Sequence, residues 1–293
     1  ADQPSKPDSP KQAPPAKPSQ KAQPPKGQEN PDGLVWFGSF FQPPPLDVSW
    51  MLMQTAGVPD DRIEKVRKEY AAYAGKSVSL QWNYLNALKN YSEIVRKKSA
   101  SSQQVDTAIQ KIADAQREFV AAGVAFWMKL DSLLGEEAPQ FLAGYGPLAE
   151  RSTKVHALPA SIALFAPPPE NSGEDIVRVL GLTDQQVAKI GPLATKYGPD
   201  FEKVVKSYTT KLGSLFGLFE SGYPLPWDQL QTKSNDVISA ESVGLKLEAG
   251  LWGDLSNILI ESQMDLLWQG LMGKRMKALL AVKYGALPPA TEG

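Results

Sequence analysis

The chain of 293 residues contains no cysteine and a single histidine, His156. The absence of cysteine excludes disulfide frameworks, thiolate nucleophiles, cysteine-ligated zinc and iron–sulfur clusters. One histidine cannot form a histidine cluster around a metal, and it leaves the chain nearly without the usual general base of enzymes. We therefore predict a protein that is not an enzyme, with no catalytic residue, no metal site and no cofactor. Glutamate, aspartate and methionine side chains remain as the open alternative for binding a metal.

Strong charge and long apolar runs are also missing. The formal net charge is −1, which provides no long-range attraction to nucleic acid or to an anionic membrane. No uninterrupted apolar run approaches the roughly 18 residues that cross a bilayer. We therefore predict no nucleic-acid partner and no membrane span.

The first part of the chain is rich in proline, lysine, glutamine and serine. Residues 1–33 contain no aromatic and no β-branched residue. Such a segment buries too little apolar surface to offset its loss of conformational entropy, so it is expected to be a disordered tether. A tail that binds the cell wall or a partner is the alternative. The start at Ala1, without an initiator methionine, favours a cleaved signal peptide and a periplasmic or secreted bacterial protein.

The remaining sequence contains two similar segments, one after the other. The sequence FQPPP at 41–45 recurs as FAPPP at 165–169, a shift of 124 residues (165 − 41), and a shift of 125 carries Trp127 onto Trp252. A repeat this long is typical of a duplicated domain, because solenoid units repeat every 20–50 residues or so. We therefore divide the chain into a tether at 1–33, helical repeat one at 34–157 and helical repeat two at 158–293.

Within each repeat the apolar residues recur at steps of three and four, the spacing of amphipathic helices. One such stripe comprises Ile63, Val66, Tyr70, Tyr73, Leu80, Tyr84, Leu88, Tyr91 and Val95. No segment alternates with period two. The predicted fold class is all-α, with two tandem three-helix repeats. Each is a long antiparallel hairpin of helices of about 35 residues, roughly 50 Å long, closed by a shorter third helix at Glu136–Leu148 or Gln263–Tyr284.

Glycines interrupt the helical patterns. Each costs up to about 1 kcal/mol against alanine, so each is expected to mark a close backbone approach or a bend. These glycines are Gly123, Gly213, Gly217, Gly244, Gly250 and Gly253.

A capping motif marks the start of the long helix in repeat two. Thr183 is expected at the N-cap, with its hydroxyl accepting from the amide of Gln186, whose side chain reaches back to the Thr183 amide. Leu182 before the cap and Val187 after it form a predicted hydrophobic staple. The motif therefore predicts both where the helix begins and how the chain enters it.

The Leu-Thr-x-x-Gln sequence at 182–186 resembles the motif of the periplasmic Spy/CpxP family, which includes zinc-resistance and nickel/cobalt-sensing proteins. A second, looser copy keeps Leu259 and Gln263, whereas repeat one has Pro59 and Arg62 in place of threonine and glutamine. Family members form cradle-shaped homodimers of single hairpins. The resemblance therefore implies that a tandem copy is a monomer folded as an intrachain pseudo-dimer.

The same resemblance implies a function, an ATP-independent periplasmic chaperone-like or envelope-stress binding protein whose partners are unfolded protein segments. A second hypothesis is a non-catalytic sensory or interaction module presented to an envelope protein, with metal binding as a variant. In that case the aromatic arm, Trp36, Phe37, Phe40 and Phe41, would form the contact.

Overall fold

The computed structural model describes residues 46–144, 177–220 and 225–268, and every regular element in these ranges is a helix. The main elements are α1 (Leu46–Thr55), α2 (Asp60–Val95), α3 (Ser102–Leu134), α4 (Asp184–Glu220) and α5 (Trp227–Ser256). Shorter helical segments occupy 138–144, 177–180 and 261–268. The prediction of an all-helical fold is therefore confirmed for the described residues. The predicted tether, the aromatic arm and His156 lie outside them.

The first pair of long helices, α2 and α3, packs into a hairpin of 36 and 33 residues. A capping box starts α3, in which the Ser101 amide donates to Gln104 Oε1 at 2.9 Å and the Gln104 amide donates to Ser101 Oγ at 3.2 Å. These bonds satisfy two amides that a helix start leaves without intrahelical partners. The capping box fixes the residue at which α3 begins. The chain therefore turns within a few residues after α2 and returns along it.

The second pair, α4 and α5, has 37 and 30 residues and packs in the same way. Unlike α2, helix α4 continues through two internal prolines, Pro192 and Pro199. Proline lacks the amide that would bond four residues back, so α4 loses two hydrogen bonds in its first half. The apolar spacing predicted the helix correctly because it is independent of these defects.

One hydrophobic core runs through both hairpins. Helix α3 packs against α2 and against α5, so α3 and α5 form the centre of the molecule. The largest fully buried side chains come from both hairpins, and they include Tyr91, Phe119, Phe141, Phe201 and Trp252. A small separate cluster at one end of the second hairpin contains Tyr197, Phe201 and Leu251. The hairpins therefore stabilise each other over most of their length.

Each hairpin is entered through the same glycine turn. Gly57 ends α1 with φ 76°, and its amide donates to the Gln54 carbonyl while the Val58 amide donates to the Met53 carbonyl. This left-handed end is the Schellman motif, which favours glycine because a Cβ atom is strained at positive φ. Helix α1 was not predicted, because its ten residues lie between the Pro43–Pro45 run and the first apolar stripe.

The turn recurs 124 residues later. Gly181 has φ 57°, its amide donates to the Arg178 carbonyl, and the Leu182 amide donates to the Val177 carbonyl. The four residues of this turn are each 124 positions beyond their counterparts at Met53, Gln54, Gly57 and Val58. The chain therefore enters α2 and α4 with the same backbone geometry.

Several glycine predictions were wrong. Helices α3 and α5 run unbroken through their glycines, and space is open around Gly213, Gly217 and Gly253 where a Cβ atom would lie. At Gly250 the prediction of a close approach holds, since a Cβ there would lie 3.3 Å from Tyr197 Oη. The predicted third helices start two residues from their expected positions: a 3-10 turn occupies Gly135–Glu137 before helix resumes at 138, and the later segment begins at 261. Their predicted ends, Leu148 and Tyr284, lie outside the described residues.

Candidate functional site

The capping motif lies at the beginning of α4. The Thr183 amide donates to Gln186 Oε1 at 3.0 Å, and the Gln186 amide donates to Thr183 Oγ1 at 3.3 Å, which are the two bonds of a capping box. Leu182 is half-buried against the shared core, whereas Val187 is 40% exposed. The motif thus fixes the helix start through polar bonds, with its apolar anchor on the Leu182 side.

The same glutamine connects the two ends of the hairpin. Gln186 Nε2 donates to the Ile258 carbonyl at 3.1 Å and to Gln263 Oε1 at 2.7 Å. Gln263 is buried, accepts from the Ile260 amide at 3.1 Å and donates to the Leu180 carbonyl at 3.0 Å. We call the pair Gln186–Gln263 the amide clasp. Through it the strict and the looser copies of the sequence motif meet and satisfy each other's polar groups.

An ion pair occupies the corresponding place in the first hairpin. Arg62, which stands 124 residues before Gln186, donates to the Leu134 carbonyl at 3.1 Å and to Glu137 Oε2 at 2.6 Å. The carbonyl acceptor lies 72 residues after the donor in both hairpins. We call the pair Arg62–Glu137 the ion clasp. Arginine at the position of the motif glutamine is therefore accompanied by a carboxylate partner, which lies 75 residues after Arg62, whereas Gln263 lies 77 residues after Gln186.

A cluster of polar side chains is buried between the hairpins. Gln116 Nε2 on α3 donates to Glu241 Oε2 on α5 at 2.8 Å, and both residues are buried. Burial, the Glu241 carboxylate and Tyr84 together hold the pKa of Tyr208 well above its usual value. We call Tyr84, Gln116, Tyr208 and Glu241 the polar centre, to which each long helix contributes one residue.

The polar centre brings together residues that hold matching positions in the two hairpins. Tyr208 lies 124 residues after Tyr84, and Glu241 lies 125 residues after Gln116, the shifts that relate the first and second helices of each hairpin. From the sequence, Tyr84 was placed in an apolar stripe, and no role was predicted for Gln116 or Glu241. A polar pair that interrupts an apolar stripe at the same place in both copies was the available signal.

Further polar contacts join the hairpins beyond the centre. Tyr91 Oη on α2 donates to the Leu245 carbonyl on α5 at 2.7 Å. Within α5, the indole of Trp252 donates to Glu248 Oε1 at 3.3 Å. Near the surface, Lys246 pairs with Asp106 at 2.8 Å. Because these directional bonds link the first hairpin to α5, the two hairpins are held in one register as well as in contact.

The pKa values of two further groups are shifted, one half-buried and one on the surface. Burial, aided by Asp47, raises the pKa of Tyr70 to about 12, which keeps its phenol neutral. On the surface, hydrogen bonds from Lys196 and Tyr197 lower the pKa of Asp254. Within the three described ranges, no group of three His, Cys, Asp or Glu side chains is placed to hold a metal ion. None of the helices described is long and apolar enough to cross a membrane.

The predicted contact residues of the aromatic arm, Trp36, Phe37, Phe40 and Phe41, lie outside the described residues, so their place relative to the clasps stays a prediction. Comparison of the chain with protein-family models, with curated proteins and with solved structures finds no match.

Proposed function

We propose that the chain is a fused pseudo-dimer, formed by duplication of one helical hairpin unit. Matching turns at Gly57 and Gly181, and matching clasps at Arg62 and Gln186, support this proposal. In a symmetric dimer of single hairpins, a residue on the twofold axis meets its own copy. The hydrogen bond between Gln116 and Glu241, which hold matching positions, is the contact that such an origin predicts.

We propose further that this pseudo-dimer is an ATP-independent chaperone-like or envelope-stress protein of the bacterial periplasm, which binds unfolded segments and has no catalytic role. The observation that carries the proposal is the amide clasp, in which the Leu-Thr-x-x-Gln motif meets the second glutamine at the end of the same hairpin. In this arrangement the motif glutamine bonds the two ends of the hairpin together, which is a structural role for the motif in the fold that the sequence resemblance implies.

The proposed activity is tested with the full chain and a client that aggregates when diluted from denaturant. Light scattering should fall as the chain is titrated in without nucleotide. A chain that lacks residues 1–42 serves as a matched variant, because it removes the tether and the aromatic arm and leaves every described helix. Unchanged scattering at several-fold molar excess of the full chain contradicts the proposal. Loss of suppression in the shortened chain would favour a contact through the arm.

A further inference from the structure

An open groove lies between α2 and α3. It has a volume of about 370 Å³ and is lined by Asn83, Asn86 and Asn90 on α2 and by Lys111, Asp114 and Glu118 on α3. Two alanines, Ala87 and Ala115, also line it and leave the space between the polar side chains unfilled. The groove is independent of the clasps and of the polar centre.

The three asparagines have no structural task in the described part of the chain. No hydrogen bond between described residues engages their carboxamides, and none of the three caps a helix. Asparagine inside a helix costs roughly 0.5 kcal/mol or more against alanine, so the three together cost about 2 kcal/mol. Residues that disfavour the helix in which they lie, and that have no role in packing, are expected at functional positions.

The second hairpin provides an internal comparison. The positions 124 residues after the asparagines hold Ser207, Thr210 and Ser214. There the Ser214 hydroxyl donates to the carbonyl of Thr210 at 3.0 Å, so it is satisfied by its own helix. The matching helix of the second hairpin therefore forms without a row of carboxamides at these positions. Of the two hairpins, the first has the row and the second does not.

The geometry points to an extended polypeptide backbone as the ligand of this groove, an inference that rests on the proposed chaperone-like function and names its binding site. A carboxamide carries the same donor and acceptor as a peptide unit, so it can pair with the N–H and C=O of any residue type. Asn86 and Asn90 lie about 6 Å apart along the helix axis. Alternate residues of an extended chain, whose main-chain groups face the same side, are about 6.6 Å apart.

The charges of the groove suit a ligand that is neutral and carries donors as well as acceptors. Lys111 supplies a donor, and the carboxylates of Asp114 and Glu118 supply acceptors. Asp114 is already held by Gln110 at 2.8 Å and by Arg117 at 2.9 Å, which orients its carboxylate. Main-chain recognition of this kind is indifferent to side chains, as binding of varied unfolded clients requires.

The test measures binding of a short fluorescein-labelled peptide of Ser, Thr and Val to the full chain by fluorescence anisotropy. The variant N83S/N86T/N90S introduces the residue types of the second hairpin, and N235S on α5 is the matched control. The triple variant is expected to bind about tenfold or more weakly, since each lost hydrogen bond contributes roughly 0.5–1.5 kcal/mol. The control should bind as the parent does. Circular dichroism and thermal unfolding check that the variants keep their helices.

Two further arms separate the possible outcomes. A peptide N-methylated at every residue lacks main-chain donors on both edges and should bind as weakly as the unmodified peptide binds the triple variant. Equal binding of both peptides, or of parent and triple variant, overturns the inference; so does displacement by a neutral oligosaccharide at lower concentration than unlabelled peptide. If the triple variant loses peptide binding but still suppresses client aggregation, the groove is not the client site and the proposed function stands. If the parent binds the peptide but suppresses no aggregation, the proposed function fails and the groove remains a peptide site.

Discussion

The side chain of Gln116 donates to the buried carboxylate of Glu241 at 2.8 Å, although the two residues hold the same position in two different hairpins. One of them is neutral and the other is acidic. An amide facing a carboxylate offers one donor for one acceptor, whereas two carboxylates would repel each other and two amides would lack the charge-assisted bond. The pair therefore depends on the two copies being different at this position.

Replacing the amide with a second carboxylate tests this dependence. Q116E is expected to lower the free energy of unfolding by about 3 kcal/mol near neutral pH, because a buried charge loses its donor and gains a like charge. The loss should be smaller at about pH 4.5 than near neutral pH, because acid favours a proton shared between the two facing carboxylates. E241Q is the matched control and should cost much less at both pH values. Urea unfolding at both pH values measures the free energy of unfolding of the parent and of the two variants. An equal loss for Q116E and E241Q would contradict this expectation.

The two clasps should differ in their contribution to stability. Q263A is expected to cost about 2 kcal/mol, because it leaves the buried Leu180 carbonyl and the Ile260 amide without their partner. E137A removes the partly exposed acceptor of the ion clasp and should cost about 1 kcal/mol or less. Thermal unfolding of the two variants compares them. A larger cost for E137A would show that the ion pair is the stronger clasp.

The clasps should also be exchangeable as pairs. Q186R/Q263E places the residue types of the ion clasp in the second hairpin, and each single substitution leaves a mismatched partner. The double variant is expected to be more stable than the sum of the two single changes predicts, with a coupling of about 1 kcal/mol. A double-mutant cycle by urea unfolding measures it. Simple additivity would mean that the two side chains do not act as a pair.

Two glycines of α5 provide a test of packing at the end of the second hairpin. Gly253 has open space at its Cβ position, so G253A should stabilise the protein by up to about 1 kcal/mol through helix propensity. At Gly250 the Cβ would lie 3.3 Å from the Tyr197 hydroxyl, which donates to Asp254 at 2.8 Å. G250A should therefore gain less than G253A or lose stability. Adding Y197F to G250A removes the crowded oxygen and should reduce the loss of stability that G250A causes. If the loss caused by G250A, measured by unfolding temperature, is the same with and without Y197F, this explanation is contradicted.

The first half of α4 should open more readily than the matching half of α2. Pro192 and Pro199 remove two helical hydrogen bonds, and the residues beneath belong to a small separate cluster. Amides at 193–201 are expected to exchange hydrogen faster than those at 69–77. P199A should slow that exchange and stabilise the protein by about 2 kcal/mol. Equal exchange in the two segments would show that packing compensates for the prolines.

Tyr208 should make stability depend on alkaline pH. Its pKa is raised in the folded chain by burial first and then by Glu241 and Tyr84, while the unfolded value is 10.0. A group with a raised folded pKa contributes stability that is present below the unfolded pKa and is lost as pH rises above it. The free energy of unfolding should therefore fall as pH rises past about 10. Y208F should fall less steeply than the parent in the same measurement, and an equal slope would exclude Tyr208 as the source.

Much of the architecture was determined by local sequence. Apolar residues at steps of three and four identified the long helices, and the capping box at Thr183 and Gln186 located the start of α4. These features depend on residues within one turn of each other, so they can be read along the chain. The short helix α1 was not predicted, because it has only three turns and follows a proline run.

Tertiary structure decided which side chains meet. Periodicity tells which face of a helix is buried, but it does not say which face of another helix lies opposite, since that depends on crossing geometry and register. For this reason Arg62 stood out in the sequence as a departure from the motif, and its partner Glu137 did not. The meeting of Gln116 with Glu241 likewise emerged only when helices far apart in sequence were packed side by side.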